Sequence, residues 1–424
     1  MPTAIEKDLV NYCDQVSSRA KTASRILCGL SGAIKNRWLM ESAQRIELAA
    51  QEILTSNQAD LRNAVDYGLT DAEIDRLRLS EDRIGQIAIG LRQIAALPDP
   101  VGELIEGSTR PNGLEISKVR VPLGVVFFIY ESRPNVTADA AGIAVKSGNA
   151  IILRGGKEAA QSSLSIVEIM QRAAIDVGVP VDAVQLVSTT DREAIGHFLK
   201  LNQWIDLVIP RGGEGLIRRV VAEATMPVLK HYDGNCHIFV DEHADLTMSL
   251  RVIENSKCQR MGVCNALESL LVHRNIATEF LPRLEAALAP NRIELRGDSE
   301  TLNLVPSGLP ATELDWSSEY LGPILSIKIV ADLEEAIEHI NRYGSHHTDG
   351  IMTQDLKTAR RFATLVDSSA VVVNASTRFN DGGQLGMGAE IGISTDKFHA
   401  RGPCGLRELT TYKYIVYGDG HVRT

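Results

Sequence analysis

Long apolar runs are missing from this chain. No stretch approaches the ~18 uninterrupted apolar residues that a bilayer-spanning helix needs. The opening MPTAIEKDLV lacks the apolar core of a secretory leader, so neither a membrane nor export is expected. Cysteine is scarce, with six in 424 residues, too few for a disulfide scaffold and suited to a reducing cytoplasm. No C-x-x-C pair exists, and HYDGNCH at 231–237 lacks zinc-finger spacing, so no metal site is expected. Aromatics make up only 5%, and no run of Lys and Arg breaks a formal net charge of −10. Nucleic acid and anionic membranes are therefore excluded as the main partners.

What is present is a globular composition, 44% hydrophobic and 23% charged, long enough for two or more cooperating domains. The first hundred residues look helical: around Ile46, Ala49, Ala50 and Ile53 apolar positions recur at helix period. LPDPVGE closes that segment, and GLEISKVRVPLG then alternates like an exposed two-stranded ribbon. From Gly124 the pattern becomes short apolar runs separated by helices. GVVFFIY, AIILR, VQLV, LVIP and PVLK read as strands, with helices ended by Gly148 and Gly178 and others opening near Asp191 and Glu214. Buried strands alternating with helices predict a parallel, doubly wound α/β sheet. A second series follows a helix over roughly 245–258, with strands at ALESLLVH, PILSIKIV, DGIMT and AVVVN. TYKYIVYG near the C-terminus alternates again, a strand in need of a partner.

A doubly wound sheet directs attention to the loops at its strand C-termini. No G-x-G-x-x-G follows a strand, and GGK at 155–157 lacks the Ser or Thr of a phosphate-binding P-loop. RGGKEAA (154–160) and PRGGEGL (210–216) are Gly-rich and open helices, where free N–H groups favour an anion. On pattern alone each reads better as a plain tight turn, and their occurrence on neighbouring strands favours the anion site. The first loop offers Arg154 and Lys157 where a reader of the NAD 2′-hydroxyl would offer an acid. If a dinucleotide binds, the charge favours NADP(H); solvated surface cations are the competing reading.

Two cysteines stand six apart in KCQRMGVCNALESL, residues 257–270. Cys258 falls at the end of a helix, where a small packed thiol is the default. Cys264 follows a helix end and Gly262 and precedes a strand. It therefore sits in a turn, where a thiolate can be exposed and stabilised by backbone N–H groups.

The ordered set YESRPN (130–135), ILRGGKE (152–158), IPRGG (209–213), HYDGNCH, VCNA (263–266), EYLGP (319–323) and VNASTRFNDGG (373–383) resembles the aldehyde dehydrogenase superfamily along essentially the whole chain. The resemblance implies an aldehyde dehydrogenase-like fold of two doubly wound α/β domains plus a small β flap for oligomerisation. It divides the chain into an NADP(H)-binding domain (1–107 and 124–233), a catalytic domain (234–403) and the flap (108–123 and 404–424). It makes Cys264 the nucleophile and Asn135 the side-chain donor of an oxyanion hole completed by the Cys264 N–H. Glu319 matches the acid that holds the nicotinamide ribose. Arg154 and Lys157 match the adenosine-ribose positions, and Gly212 and Gly213 run beside the pyrophosphate.

One departure bears on the reaction. Relatives that hydrolyse their thioester carry a Glu base thirty-odd residues before the cysteine, and His231 stands there instead. An enzyme that reduces an activated acyl group needs no such base for water. The resemblance therefore points to the branch that reduces acyl phosphates. The implied activity is NADPH-dependent reduction of L-glutamyl 5-phosphate to L-glutamate 5-semialdehyde through a cysteine thioester, the second step of proline biosynthesis. The substrate's phosphate, α-carboxylate and ammonium would call on Arg133, on Arg378 or Arg401, and on Asp381 or Glu131. Local ion pairing is the alternative for each. A cytoplasmic homodimer or dimer of dimers is expected, without a fused kinase, with glutamate 5-kinase as a candidate partner. Two rivals stand: a coenzyme A-acylating aldehyde dehydrogenase, and a non-catalytic dinucleotide-binding scaffold.

Overall fold

The computed structural model describes residues 4–64, 66–131 and 133–423. The first three residues of the N-terminal stretch and Ser132 of YESRPN lie outside them. The chain forms two compact units. The first contains the described residues up to Lys230, Gly386–Gly392 and the described residues from Cys404 onward; the second contains His231–Leu385 and Ile393–Pro403. Segment 386–392, expected with the catalytic domain, thus belongs to the first unit.

The first unit opens with helices Ala4–Leu27, Gly32–Leu48, Ala50–Ala64, Asp71–Leu77 and Glu81–Ala96. The apolar period read around Ile46 spans two of them. Ile46 and Ile53 are both buried, but the chain breaks at Ala49, whose ψ of 17° is not helical. Trp38, Leu39, Ala43 and Ile46 share the buried face of the second helix, and the Trp38 indole donates to the Met170 carbonyl at 3.0 Å. Helix starts are capped locally: Thr70 and Glu73 make a reciprocal capping box, satisfying N–H groups the first turn leaves open.

Four parallel strands follow, in the order Val184–Leu186, Ala150–Arg154, Val125–Ile129, Leu207–Pro210. Every residue of the two central strands is buried, so they read as continuous apolar runs without alternation. PVLK does not join as a strand. It makes one bridge, Val228 to Val208, and Pro227, which has no N–H, leads into it. The order reverses at Val125–Ile129, which opens a crevice at the C-terminal strand ends. Gly178 ends helix Ala160–Val177 with φ of 81°, a conformation strained for any residue with a side chain.

The ribbon and the C-terminal strand meet in one antiparallel sheet, Leu104–Thr109, Glu115–Pro122, Thr410–Tyr417, with the middle strand pairing on both sides.

The second unit holds a seven-stranded parallel sheet. Its order is Leu309–Pro310, Glu294–Gly297, Ile324–Val330, Leu267–His273, Cys236–Val240, Thr348–Met352, Ala370–Val373. Its two faces show in the packing. Ile238, Leu270 and Ile327 face helix Arg274–Leu288, while Phe239, Leu271 and Ile351 pack with Ile340 and Phe362. The sequence reading missed three strands here, the shortest being the two-residue Leu309–Pro310. Cys236–Val240 carries a histidine in a fully buried run, made tolerable because the Asp349 carboxylate lies 3.1 Å from His237 Nδ1. Glu294–Gly297 contains two charged side chains, Glu294 and Arg296, which pair with each other, and Arg296 also meets Asp315. No helix among the described residues is long and apolar enough to cross a membrane.

Candidate active site

In the first unit a cavity of about 430 Å³ opens at the C-terminal ends of Val125–Ile129 and Ala150–Arg154. Tyr130, Arg154, Gly155, Lys157, Arg192 and Arg219 are among its walls. Four of these carry positive charge, with Glu158 the only acid of the lining, so the cavity suits an anionic ligand. Arg154 is largely buried. Its two terminal nitrogens donate to the carbonyls of Gly155 (2.7 Å) and Thr190 (3.1 Å), while its Nε has no partner among the described residues. Burial holds its guanidinium below the usual arginine range. Lys157 opens the short 3-10 turn Lys157–Ala159 and lays its ammonium 4.2 Å from the centre of the Tyr67 ring. Gly155 is needed because a Cβ there would sit 3.1 Å from the Tyr130 ring.

The two Gly-rich loops of this unit, which look alike in sequence, differ in the fold. Helix Ala160–Val177 has its first N–H groups filled from within. Asp60 accepts from Gln161 N at 3.1 Å and from Ser162 N at 2.8 Å. The anion expected there is thus the protein's own carboxylate. Helix Glu214–Glu223 begins after Gly213 with no side-chain cap, and its residues Gly215 and Leu216 line the cavity. Gly212 and Gly213 precede that helix; a Cβ at Gly212 would meet Leu216 at 3.0 Å, whereas Gly213 faces open space.

In the second unit four segments enter the sheet at the N-terminal ends of its strands. Gly234 precedes strand Cys236–Val240, Cys264 precedes Leu267–His273, Glu319 precedes Ile324–Val330, and His347 precedes Thr348–Met352. These four strands are neighbours in the sheet, so their N-terminal ends converge. The approach is tight enough to dictate sequence. A Cβ at position 234 would stand 1.8 Å from the Cys264 carbonyl oxygen, so only glycine lets HYDGNCH pass the Cys264 turn. Gly234 N–H donates to the Glu319 carboxylate at 2.9 Å, and the Cys236 thiol to the Cys264 carbonyl at 3.2 Å. Asn265 donates to the Asn380 carbonyl at 3.1 Å, and Thr377 donates to the Asn265 carbonyl at 2.7 Å. These bonds tie the turn to NASTRFN.

A fully buried ion pair brackets the turn, with Lys257 Nζ 2.6 Å from the Glu268 carboxylate. Burial pushes the Glu268 carboxyl up and the Lys257 ammonium down, and their contact works against both shifts. The other Glu268 oxygen accepts from Leu321 N at 3.2 Å, which holds EYLGP against the same turn.

Cys264 is half-buried, and its sulfur and a ring nitrogen of each of His231 and His347 lie within 4.8 Å of one another. Nδ1 of His231 is 3.1 Å from the Ile393 carbonyl. A carbonyl only accepts, so this nitrogen carries the proton and Nε2 keeps its lone pair. Burial, with His231 beside it, pushes His347 down to about 3, which leaves it neutral. Helix Leu246–Cys258 presents its C-terminal end towards the turn in sequence, so its dipole gives no help to a thiolate. Positive charge comes instead from side chains: burial and then Arg260 lower the Arg378 guanidinium, while Cys264 and Asp381 support its charge. Cys258 is part-buried against the core face beneath its helix. Spacing had suggested no metal ligands, yet the tertiary structure groups His231, Cys264 and His347.

The remaining expected residues are placed as follows. Asn135 is exposed in the first turn of helix Pro134–Lys146, with its amide 3.4 Å from Asp139. Arg133 stands at the N-cap position of that helix without a side-chain capping bond, and Glu131, also exposed, lies beside Gly212. These three belong to the first unit and Cys264 to the second. Glu319 is half-buried beside Gly234, and burial raises its carboxyl to about 6. It therefore lies with the Cys264 turn in the second unit and is not among the residues that line the Arg154 cavity. Arg378 donates to Gln259 at 2.8 Å, and Asp381 accepts from Gly383 N and Gln384 N in a local turn. Arg401 is taken up by Asp367, with a 2.9 Å ion pair and a second bond to its carbonyl. Sequence reasoning did not single out His347, Cys236, Arg192 or Arg219. The doublet His346-His347 before TDGIM was the one available signal.

The aldehyde dehydrogenase family model matches residues 13–302 and 304–413. The chain belongs to the aldehyde dehydrogenase family. It is 63% identical over 416 residues to a gamma-glutamyl phosphate reductase of Rhodopirellula baltica, covering 98% of this chain and 96% of that one. A gamma-glutamyl phosphate reductase of Carboxydothermus hydrogenoformans is 53% identical, over 96% of this chain and 98% of its own. The crystal structure of the Thermotoga maritima gamma-glutamyl phosphate reductase superposes with a TM-score of 0.96 at 46% identity, over 97% of this chain and 100% of that one. An acetylating aldehyde dehydrogenase from Geobacillus thermoglucosidasius, at 19% identity and a TM-score of 0.69, shares the fold alone. The chain is an oxidoreductase acting on an aldehyde, and the family uses a nicotinamide dinucleotide as cofactor.

Proposed function

We propose that the chain performs the reaction for which its relatives are named. It reduces L-glutamyl 5-phosphate to L-glutamate 5-semialdehyde, the second step of proline biosynthesis, with NADPH as the reductant. The observation that carries this reading is the Cys264 turn, closed by the Cβ-free approach of Gly234, in a chain 63% identical to a gamma-glutamyl phosphate reductase.

Cys264 is the nucleophile. His231, with a ring nitrogen within 4.8 Å of the sulfur, takes the thiol proton, and Arg378 supplies positive charge near the thiolate. Sulfur attacks the acyl carbon, the bond to phosphate breaks, and phosphate leaves with the electron pair to give a thioester. Asn135 and the Cys264 N–H are the oxyanion donors the motif assigns; removal of one such donor costs roughly 3–4 kcal/mol elsewhere. NADPH, when bound, supplies a hydride to the thioester carbon. Collapse of the thiohemiacetal then breaks the carbon–sulfur bond, releases the aldehyde and restores the thiol.

The residues of the first unit fit NADP(H). Arg154 and Lys157 serve the 2′-phosphate and the uncapped helix at Gly213–Gly215 the pyrophosphate, and the partnerless Arg154 Nε is in keeping with a ligand there. Glu319 is the ribose-holding acid. Arg133 is assigned to the substrate phosphate, Arg378 to its α-carboxylate and Glu131 to its ammonium. Arg401, already paired with Asp367, is the weaker candidate for the carboxylate, and Asp381 the weaker one for the ammonium.

The domain division holds as a proposal with the first unit as the cofactor domain and the second as the catalytic one. The flap is proposed to dimerise the chain in the cytoplasm: both outer strands are sheet edges, and Leu104, Tyr412, Tyr414 and Val416 are exposed on them. Glutamate 5-kinase, which makes the labile acyl phosphate, is the proposed partner.

The test is phosphate-dependent reduction of NADP by glutamate 5-semialdehyde. Wild type is expected to form NADPH and Cys264→Ala none; an inactive wild type, or coenzyme A replacing phosphate, overturns the assignment. Lys157→Ala is expected to raise the KM for NADP roughly tenfold and leave that for NAD unchanged.

A further inference from the structure

We propose that His231, Cys264 and His347 form a three-ligand site for a borderline-soft divalent cation of the Zn²⁺ type, which captures the sulfur otherwise used for attack. Two imidazoles and a thiolate are the donor set such ions select from a reducing compartment, and hard cations such as Mg²⁺ do not.

The geometry carries the assignment. One donor atom from each residue lies within 4.8 Å of the other two. In a tetrahedral zinc site, with bonds of about 2.0–2.3 Å, ligand atoms stand ~3.5 Å apart. Closing the gap needs side-chain adjustments of about an ångström. Two of the three ligands are already oriented from behind. His231 Nδ1 is fixed on the Ile393 carbonyl at 3.1 Å, which leaves Nε2 as a donor atom for metal. His347 Nδ1 is held 2.7 Å from the Thr348 hydroxyl, which itself accepts from Asn380 at 2.7 Å. Such outer partners fix ring orientation in metal sites. A second observation is independent of the clustering. His347 is 0% exposed, and its Nε2 has no hydrogen-bond partner among the described residues, a cost that a ligand would remove.

The step is simple substitution: the thiol proton passes to solvent as the sulfur–metal bond forms, with no change of oxidation state. Three protein ligands leave a fourth position for water. Bound metal and acyl substrate then exclude one another, so micromolar Zn²⁺ is a reversible inhibitor relieved by a chelator. That consequence rests on the proposed reaction, whereas metal binding itself does not.

The test uses the intact chain with Co²⁺ as probe. The expected result is a near-ultraviolet sulfur-to-cobalt charge-transfer band and tetrahedral visible bands at one equivalent, displaced by Zn²⁺. Cys264→Ala is expected to remove the charge-transfer band, and His231→Gln and His347→Gln each to weaken binding at least tenfold. Cys28→Ala and Cys258→Ala are expected to change nothing. A charge-transfer band that survives in Cys264→Ala, or unchanged cobalt affinity in His231→Gln, overturns the site. His231 is only part-buried, so its variant decides the matter even if His347→Gln fails to fold.

Discussion

The two units build their sites at opposite ends of their strands. In the first, the cationic cavity opens at the C-terminal ends, where helix Glu214–Glu223 begins with no side-chain cap. In the second, Gly234, Cys264, Glu319 and His347 gather at the N-terminal ends, where helices finish and offer carbonyls. The first arrangement needs little beyond flexible cations at a rim. The second must supply positive charge from side chains and position from backbone contact, and so it is bound together far more tightly. A cavity built the first way should degrade gradually under mutation, and a turn built the second way should fail abruptly.

Gly234→Ala is the strongest way to break the comparison. With the new Cβ placed 1.8 Å from the Cys264 carbonyl, the two backbones must separate. A loss of ~4 kcal/mol or more is expected, with altered alkylation of Cys264, read by denaturant unfolding and thiol labelling. An unchanged labelling rate would show that the turn is not held as described. Next comes Lys257→Met, which leaves Glu268 buried and unpaired and should cost ~3–5 kcal/mol. The double variant Lys257→Met/Glu268→Leu should recover much of that stability. If it recovers none, the pair's role lies in the bond to Leu321 and not in charge.

Smaller effects are expected at Asp60 in the first unit and at Glu319 in the second. Asp60→Ala uncaps helix Ala160–Val177 and should cost ~1–2 kcal/mol, while the KM for NADP stays put. A tenfold change in that KM would mean that Asp60 shapes the cavity as well as the helix. The smallest effect concerns pH. Burial raises Glu319 to about 6, so its carboxylate is lost as pH falls below that value. The KM for NADP should climb severalfold between pH 7 and 5 in wild type and stay flat in Glu319→Gln. Stability runs the other way. A carboxyl raised in the folded state stabilises the fold most at low pH, and that contribution fades as pH rises through about 6. Glu319→Gln should therefore gain stability relative to wild type above pH 6.

Much of the architecture was readable before any coordinates. Fully buried parallel strands leave continuous apolar runs, and VVFFI and AIILR fell where the structure has them. Strands that carry charge were lost: Glu294 and Arg296 neutralise each other across one, and His237 is matched by Asp349 inside another. PVLK erred in the opposite direction, since a short apolar run does not reveal whether a neighbouring strand is there to pair with it.

The sequence by itself determined the fold class and the cationic loop and singled out Cys264 as the candidate nucleophile, because these depend on local period, turn chemistry and ordered motifs. Only the tertiary structure decided which of two matching Gly-rich loops keeps its helix N-terminus open. The carboxylate that closes the other, Asp60, comes from about a hundred residues away. Only it, too, explained the glycine of HYDGNCH and brought His347 to Cys264. Backbone approach across neighbouring strands is a property of the sheet, and no spacing along the chain records it.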